Sequence, residues 1–288
     1  MHKYLRAIGF SNIKTTDQLF NMEREVIRDC DRRDYASKSL QISTVQIEKD
    51  YGDEIGLSVV GETMADNRFI PEHIFPFIRP GSYIKSEPVR VIPHNDKEAY
   101  SGLIEDINMT TIFYIQNISE YVRLTYNNKD MPINAVCFSG LSLQGTILIP
   151  LQKTEEEILD EKNSLRETNN LLRKARNGDE EAVNQLIIKD MDIKNDIMKR
   201  VQNEDILSIV DSSLIPYGVD CENYEILGNI INVKNVTNTD TKEDIYVLDV
   251  VANGYIIRIA INKKDLIGVP YIGRRFRGSI WLQGYLLM

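Results

Sequence analysis

Three arginines beside an aromatic residue form the most chemically specific cluster in the sequence. Arg274, Arg275 and Arg277 precede Trp281, which is the only tryptophan of the chain. Guanidinium groups hold phosphates and carboxylates through paired hydrogen bonds, and arginine and aromatic residues are enriched at protein interfaces. The cluster therefore predicts a binding site for a small anionic ligand or for a protein partner. The alternative is that the arginines pair with acidic helices of the same chain and that Trp281 belongs to the core.

Histidines are scarce, and their spacing matches no metal site. His73 and His94 lie in a proline-rich segment, and His2 lies at the start of the chain. There is no H-E-x-x-H motif, no pair of neighbouring cysteines and no glycine-rich nucleotide motif, so the sequence predicts no metal and no cofactor. Each histidine is interpreted as a surface or packing residue. One histidine is enough for general base catalysis, so whether the chain is an enzyme stays open.

The cysteines and the start of the chain predict a cytoplasmic location. Cys30, Cys137 and Cys221 are isolated and odd in number, which is typical of reduced thiols, because disulfides form in oxidising compartments. No apolar signal segment follows the first residues. No apolar run approaches the ~20 residues that cross a bilayer, so no membrane span is expected.

The charge is acidic and unevenly distributed. The 288 residues include 34 basic and 43 acidic side chains, a net charge of −9. Residues 151–215 contribute −5 of this charge, whereas residues 216–288 are neutral. Acidic surfaces repel phosphate backbones, so nucleic-acid binding is disfavoured. With 42% hydrophobic residues, the composition is that of a globular protein with a core.

Helical and extended segments occupy different parts of the sequence. Residues 16–30 predict an amphipathic helix capped by Thr16 or Asp17. Residues 155–211 predict further helices with a break near Gly178, because glycine readily takes the conformation that ends a helix. In that region Asp179 is expected to cap the second helix.

The remaining segments predict strands. Alternating apolar residues on both sides of Gly52 predict a β-hairpin. Five prolines within residues 69–93 exclude a long helix there and predict loop, turn and edge strand. Residues 100–150 and 224–288 are β-rich, and Gly278 and Gly284 inside strands predict a bulge, a sharp bend or a close approach of the backbone.

The two β-rich stretches resemble each other, which predicts an internal duplication. YVRLTYNNKDM, from residue 121, aligns without a gap with IIRIAINKKDL, from residue 256. Alternation of apolar residues alone does not explain polar matches in the same order. The matched polar pairs are Arg123 and Arg258, Asn127 and Asn262, Lys129 and Lys264, and Asp130 and Asp265. The asparagines and aspartates are expected to form turns that end strands.

The fold class predicted is α+β, because runs of strands and runs of helices are segregated. Two related small antiparallel β modules are bridged by a helical segment. Residues 1–150 hold the N-terminal helix, the hairpin and the first module, residues 151–215 form the bridge, and residues 216–288 form the second module, which is related to residues 100–146. Each module has enough strands for an OB-like barrel, and a curved sheet with the hairpin packed on it is the alternative.

Four segments resemble an uncharacterised family of Clostridia-type Firmicutes that is described as a domain of unknown function. They are MHKYLRAIGF, LIPYGVDCENY, INKKDL and GRRFRGSIWLQG. The resemblance covers the whole chain and implies a bacterial cytoplasmic protein of similar length. It implies no activity.

The function is unknown from the sequence, and three hypotheses follow from the residues. The first is a non-catalytic binding or scaffold protein that uses the duplicated β modules. The second is an enzyme of undetermined class, such as a carboxylate-based hydrolase with a cleft between the modules. The third is single-stranded nucleic-acid binding by an OB-like face, which the net charge opposes. A deep cleft with clustered carboxylates would favour the enzyme, and a flat, exposed arginine and tryptophan face would favour the binding protein.

Overall fold

A computed structural model of the chain describes residues 3–39, 42–64, 68–105, 109–127, 132–150, 163–164, 167–168, 170–171, 174–175, 179–201, 210–218 and 221–288. Strands make up 50% of the structure and helices 22%, so the protein is mostly β with some helix. The contacts divide the chain into two compact units. The first unit comprises residues 1–149 and 212–288, and the second comprises residues 150–211.

The described residues of the first unit include two α-helices, α1 at Thr16–Arg28 and α2 at Ile118–Asn127, and short 3-10 turns at Lys3–Ile8 and Lys263–Asp265. Helix α1 begins where the sequence predicts, but Thr15 caps it instead of Thr16 or Asp17. The Thr15 hydroxyl accepts a hydrogen bond from the Gln18 backbone N–H, and the Gln18 side chain accepts one from the Thr15 N–H. This reciprocal pair satisfies two N–H groups that a helix start leaves free.

Fifteen strands lie in the described part of the first unit. They are β1 Arg32–Ser37, β2 Ser43–Asp50, β3 Ile55–Thr63, β4 Phe69–Ile78, β5 Ile84–Lys85, β6 Arg90–Pro93, β7 Tyr100–Glu105, β8 Thr110–Ile115, β9 Val136–Leu148, β10 Ser213–Pro216, β11 Asn223–Thr237, β12 Asp244–Ala252, β13 Tyr255–Asn262, β14 Leu266–Ile267 and β15 Arg275–Leu286.

Strands β1 to β4 form an antiparallel sheet in chain order. β2 and β3 are the hairpin predicted around Gly52, and the Tyr51 N–H donates to the Ile55 carbonyl across the turn at 2.9 Å. β4 lies at the edge of this sheet and contains Pro71 and Pro76. An edge strand tolerates proline because one of its sides needs no N–H donor. The edge strand predicted in this proline-rich segment is therefore confirmed.

Five strands close a barrel in the order β11, β12, β13, β9 and β15, and β15 pairs with β11 to complete it. β13 and β9 run parallel, whereas the other neighbours in the barrel are antiparallel. Near its C-terminal end β15 also pairs in parallel with β8, which leads on to β7 and β6. A small barrel is thus present, but both β-rich stretches supply its strands. The prediction of one module per stretch is wrong because the long β9–β15 pairing joins the two stretches in one sheet.

The structure does not support the duplication at its best-matching segment. Arg123 lies in helix α2, whereas Arg258 lies in strand β13. The two residues therefore occupy different positions in the topology, and their pairing is wrong. The pairings that involve Lys129 and Asp130 lie outside the described residues.

The spacing of the buried residues explains the difference between these two segments. Ile118 and Val122 are buried in α2 and lie four residues apart, which is one turn of a helix. In β13 the isoleucines at every second position are completely buried, because alternate side chains of a strand point to the same face. These residues are Ile257, Ile259 and Ile261. Similar apolar residues in the two segments thus follow two different spacings of burial, four residues in α2 and two residues in β13.

The second unit is mainly helical where it is described, in agreement with the helices predicted over residues 155–211. Helix α3 spans Glu180–Val201, and the described residues from 163 to 175 are helical as well. The Asp179 side chain accepts a hydrogen bond from the first turn of α3, which confirms it as the cap. The last residues of the predicted bridge belong to β10 instead, and the break near Gly178 lies outside the described residues. Within the described part, no helix has the length and apolar character needed to span a membrane.

Candidate functional site

The first unit contains a cavity of about 620 Å³, which we call the aromatic cavity. Its walls come from the N-terminal 3-10 turn, α1, β4, the segment between β6 and β7, β8, the start of β11, and β15. The lining residues are Lys3, Tyr4, Leu19, Phe20, Glu23, Glu72, His73, Ile74, Phe75, His94, Lys97, Tyr114, Glu222, Asn223 and Trp281. The site therefore exists only when the whole unit is folded.

Four aromatic rings pack in series in the lining. Tyr4 stacks on Trp281 with ring centroids 5.5 Å apart, and Trp281 lies 5.0 Å from Tyr114. Tyr114 in turn meets Phe75 at 5.0 Å in an edge-on arrangement. Aromatic pairs at such separations stabilise one another, so these rings hold each other in place before any ligand arrives.

His73 and Tyr114 connect the edge strand of the first sheet to β8. His73 Nε2 lies 2.8 Å from the Tyr114 hydroxyl, and its ring stacks on Phe75 at 5.8 Å. Burial raises the pKa of Tyr114 well above its usual value of 10, and the charge of Glu222 raises it further. Tyr114 is therefore a neutral phenol that can both donate and accept a hydrogen bond.

His94, Ser101 and Glu222 form a second polar chain at the cavity. The Ser101 hydroxyl donates to Glu222 Oε1 at 2.6 Å, and His94 Nε2 lies 2.8 Å from the same hydroxyl oxygen. A serine hydroxyl has one proton, and Ser101 donates it in the hydrogen bond to the Glu222 carboxylate. The hydrogen bond between His94 and Ser101 is therefore donated by the Nε2–H of the imidazole. Glu222 is thereby fixed in position with an acceptor oxygen near the imidazole, 3.8 Å from Nε2.

Tyr4 also lines a second cavity of about 510 Å³, which shares Lys3 and Asn223 with the aromatic cavity. The Tyr4 hydroxyl donates to Asn223 Oδ1 at 2.6 Å. Burial raises the pKa of Tyr4 to about 12, with smaller contributions from Cys221 and Glu222. Tyr4 is therefore a neutral, fixed aromatic face over the physiological pH range.

Charged residues of both signs line the aromatic cavity. Glu23, Glu72 and Glu222 face two lysines, Lys3 and Lys97, so the lining has one net negative charge when both imidazoles are neutral. Burial raises the pKa of Glu23 and of Glu72 above their usual range. Burial thus disfavours the charged forms of these two carboxyl groups.

The structure separates the predicted arginine and tryptophan site into two places. Trp281 lies in the wall of the aromatic cavity and is only 6% exposed. Arg275 is buried, and its Nε donates to the Ile149 carbonyl at 3.2 Å. Among the described residues that line the cavity there is no arginine.

The other two arginines lie nearer the surface. The guanidinium of Arg274 is half-buried over the Tyr271 ring at 4.9 Å, and it donates to the Val269 carbonyl at 3.0 Å. Arg277 is exposed. In the described part of the chain neither Arg274 nor Arg277 has an acidic partner, so their role in binding stays a prediction.

Sequence reasoning missed the two histidines of the site. It interpreted His73 and His94 as surface or packing residues, yet both line the aromatic cavity, and His2 lies outside the described residues. His73 lies in β4 of the four-stranded sheet, whereas His94 directly follows β6 of the larger sheet, and only the tertiary fold brings them to one cavity. The one available signal was that two of three histidines flank the same proline-rich segment. Among the described residues no group of three or more His, Cys, Asp or Glu side chains is arranged to hold a metal ion.

Comparison with known proteins identifies a family. Residues 5–284 match a family described as "Domain of unknown function, E. rectale Gene description (DUF3881)". No curated protein and no solved structure matches the chain.

Proposed function

The chain belongs to this family of unknown function, and we propose that it binds a small organic molecule in the aromatic cavity. The observation that carries the proposal is the combination of four packed rings with two histidines and a fixed glutamate in one cavity. The binding hypothesis from the sequence and this proposal have one residue in common, Trp281.

The size and the chemistry of the cavity support a small ligand. Pockets for small molecules typically enclose about 300–1,000 Å³ and combine mainly apolar walls with a few convergent polar groups. The aromatic cavity, at about 620 Å³, falls within this range. The exposed aromatic surface of the lining comes from Phe20, which is 54% exposed, because the four packed rings are each at most 6% exposed. His73, His94 and Glu222 offer hydrogen bonds at fixed positions.

The hydrogen-bond directions around Ser101 favour binding over nucleophilic catalysis. In a serine hydrolase, histidine takes the proton from the serine hydroxyl. Here the hydroxyl donates to Glu222 and accepts from His94, which is the opposite direction for the imidazole. Ser101 is therefore interpreted as the link that fixes Glu222 and His94 for recognition.

Arg274 and Arg277 support a separate proposal, a surface for an anionic ligand or a protein partner. Arg277 is exposed, and a guanidinium without an acidic partner can bind carboxylate or phosphate in pairs of hydrogen bonds. This surface and the aromatic cavity are tested independently, because no arginine among the described residues lines the cavity.

Trp281 provides a direct test, because its fluorescence comes from the only tryptophan. Three probes with one phenyl ring, 2-phenylethylammonium, 2-phenylethanol and phenylacetate, are titrated while the emission is recorded. We expect at least one of them to change the emission in a saturable way. The absence of a saturable response to all three would contradict the proposal.

Substitutions at two aromatic residues of nearly equal exposure show whether the change in fluorescence comes from binding in the cavity. Phe20 lines it and is 54% exposed, whereas Tyr35 does not line it and is 53% exposed. Phe20→Ala is expected to weaken binding about fivefold, since one aromatic contact contributes about 1 kcal/mol. Tyr35→Ala should leave the affinity unchanged.

A further inference from the structure

We propose that helix α3 of the second unit pairs in antiparallel orientation with α3 of a second copy of the chain. The proposal concerns α3 alone, so it goes beyond the binding function proposed for the first unit and is tested separately from it. Two features carry it: a row of exposed apolar side chains along α3, and opposite charges at the two ends of that row.

One face of α3 is occupied within its own unit. Ala182 is buried and Leu186 is half-buried. The Lys189 ammonium donates a hydrogen bond to the Ser164 carbonyl at 3.2 Å. Ala182, Leu186 and Lys189 lie at positions i, i+4 and i+7, which share one face of a helix. This face of α3 therefore points towards the rest of the second unit.

A different face of α3 exposes four large apolar side chains. They are between 43% and 61% exposed and comprise Val183, Ile187, Ile188 and Met191. Val183, Ile187 and Met191 follow one another at a spacing of four residues, so they form a row along the helix. Contiguous exposed apolar surface of this kind marks an interaction site, because pairing removes it from water.

The row runs between opposite charges. Glu180 is the first residue of α3 and is exposed. Ile187 follows seven residues later, and the sequence of the helix reaches Lys194 after seven more. Seven residues are nearly two helical turns, with a drift of only about 20°, so the three positions lie in one row. The row thus begins with an acid, has an apolar centre and continues to a base.

This order of charges selects an antiparallel partner of identical sequence. With a two-fold axis at Ile187, Glu180 of each copy meets Lys194 of the other, and the apolar residues lie between the two ion pairs. A parallel pair would place glutamate against glutamate and lysine against lysine, which repel. Two-fold dimers are also the most common assemblies of identical chains. Because one helix from each copy forms the contact, we expect a weak dimer with a micromolar dissociation constant.

Sedimentation equilibrium of the full chain tests the pairing. Over a concentration range of about 5 to 500 µM, we expect the average mass to rise from 33.1 kDa towards twice that value. A chain that stays monomeric over this range would show that the proposal is wrong.

Two isoleucines of similar exposure show whether the apolar row forms the contact. Ile187 in α3 is 54% exposed, and Ile215 in β10 is 58% exposed. Ile187→Ala should weaken the dimer at least about tenfold, because both copies lose the central contact while alanine preserves the helix. Ile215→Ala should leave the dissociation constant unchanged. Equal weakening by the two substitutions would overturn the proposal.

Charge reversal tests the orientation. Glu180→Lys and Lys194→Glu should each weaken the dimer about tenfold, and the double variant should recover to within about threefold of wild type, because it restores both ion pairs in reverse. Glu181→Lys is the matched control in the same turn. Glu181 is exposed, lies off the row and accepts a hydrogen bond from Gln185 at 3.4 Å, so its reversal should have no effect on pairing. A double variant that stays as weak as the single variants, or a Glu181→Lys variant as weak as Glu180→Lys, would contradict the antiparallel pairing.

Discussion

The carboxylate of Glu243 connects its own segment of the first unit to two others, one at Ser11 and one at residues 262–264. It accepts hydrogen bonds from the Ser11 hydroxyl at 2.7 Å, from the Asn262 amide at 2.6 Å and from the Lys264 ammonium at 2.8 Å. Asn262 also accepts from the Lys264 N–H at 3.0 Å and caps the 3-10 turn that follows β13. The strand-ending turn predicted for Asn262 is therefore confirmed, and Glu243 fixes it to the N-terminal region.

Glu243→Gln should destabilise the protein at neutral pH by about 1–2 kcal/mol, because the charge-assisted bonds weaken. The hydrogen bonds to Lys264, Ser11 and Asn262 lower the pKa of Glu243, although burial acts in the opposite direction. A lowered folded-state pKa gives stability that is present above the ordinary carboxyl pKa and is lost as pH falls through the lowered value. Urea unfolding at pH 7 and at about pH 3 should therefore show a gap between wild type and variant that closes in acid.

Glu105 provides the control for this prediction. It pairs with Arg90 at 3.2 Å, but its side chain is 68% exposed. Exposed pairs contribute little, so Glu105→Gln should change stability by less than about 0.5 kcal/mol at either pH. A gap for Glu243→Gln that stays constant with pH would show that the lost bonds do not depend on its charge.

At the scale of single residues, the sequence predicted only part of the candidate site. Trp281 was predicted to bind a ligand or to belong to the core. It is a core residue that also lines the aromatic cavity, and its role in binding stays a prediction. His73 and His94 were not predicted to belong to a site, because no motif around them in the sequence indicates a partner. Their partners, Tyr114 and Ser101, come from β8 and β7.

At the scale of the elements, glycines determine how closely the strands β7, β8 and β15 approach. Phe113 in β8 is completely buried, and its ring occupies the space where side chains at Gly102 and Gly284 would begin. Gly284 was predicted to mark a bulge, a bend or a close approach of backbone, but its nearest neighbours are side chains, those of Phe113 and Val136. The absence of a side chain thus lets one aromatic ring fill the junction of three strands.

Gly284→Ala should destabilise the protein by about 1–3 kcal/mol, because the added methyl group overlaps the Phe113 ring. Gly140→Ala is the matched control, since a Cβ there lies 3.4 Å from the Ile280 side chain, which is an ordinary contact. Thermal unfolding compares the two variants with wild type. Equal effects of the two substitutions would show that overlap with Phe113 is not the cause.

Element types were more predictable than element pairing. The hairpin at Gly52, helix α1 and the edge strand β4 follow from local spacing and proline chemistry, which act within a few residues. The alignment of residues 121–131 with 256–266 failed because similar patterns of apolar residues are compatible with a strand, which has a period of two residues, and with a helix, which has a period near four. Only the burial of Ile118 with Val122, which depends on the rest of the fold, decides between them.

At the scale of the whole molecule, long-range pairing builds both the barrel and the aromatic cavity. β9 pairs in parallel with β13 and antiparallel with β15, more than one hundred residues away along the chain. β15 carries Trp281 and also pairs with β8, the strand that carries Tyr114. Local patterns predict the strands themselves, but they contain no information on which distant strand each one meets. For that reason the sequence predicted a small barrel but not its composition, and it did not predict the cavity.

The indole N–H resonance of Trp281 tests the central claim, that the aromatic cavity binds a small organic molecule, most directly. A protein with one tryptophan gives one such signal in a ¹H–¹⁵N spectrum, and this signal reports on the cavity wall itself. During a titration with 2-phenylethylammonium, 2-phenylethanol and phenylacetate in turn, we expect it to move and then saturate with at least one probe, and less readily in Phe20→Ala. A signal that stays fixed with all three probes, while resonances elsewhere in the protein shift, would contradict the account.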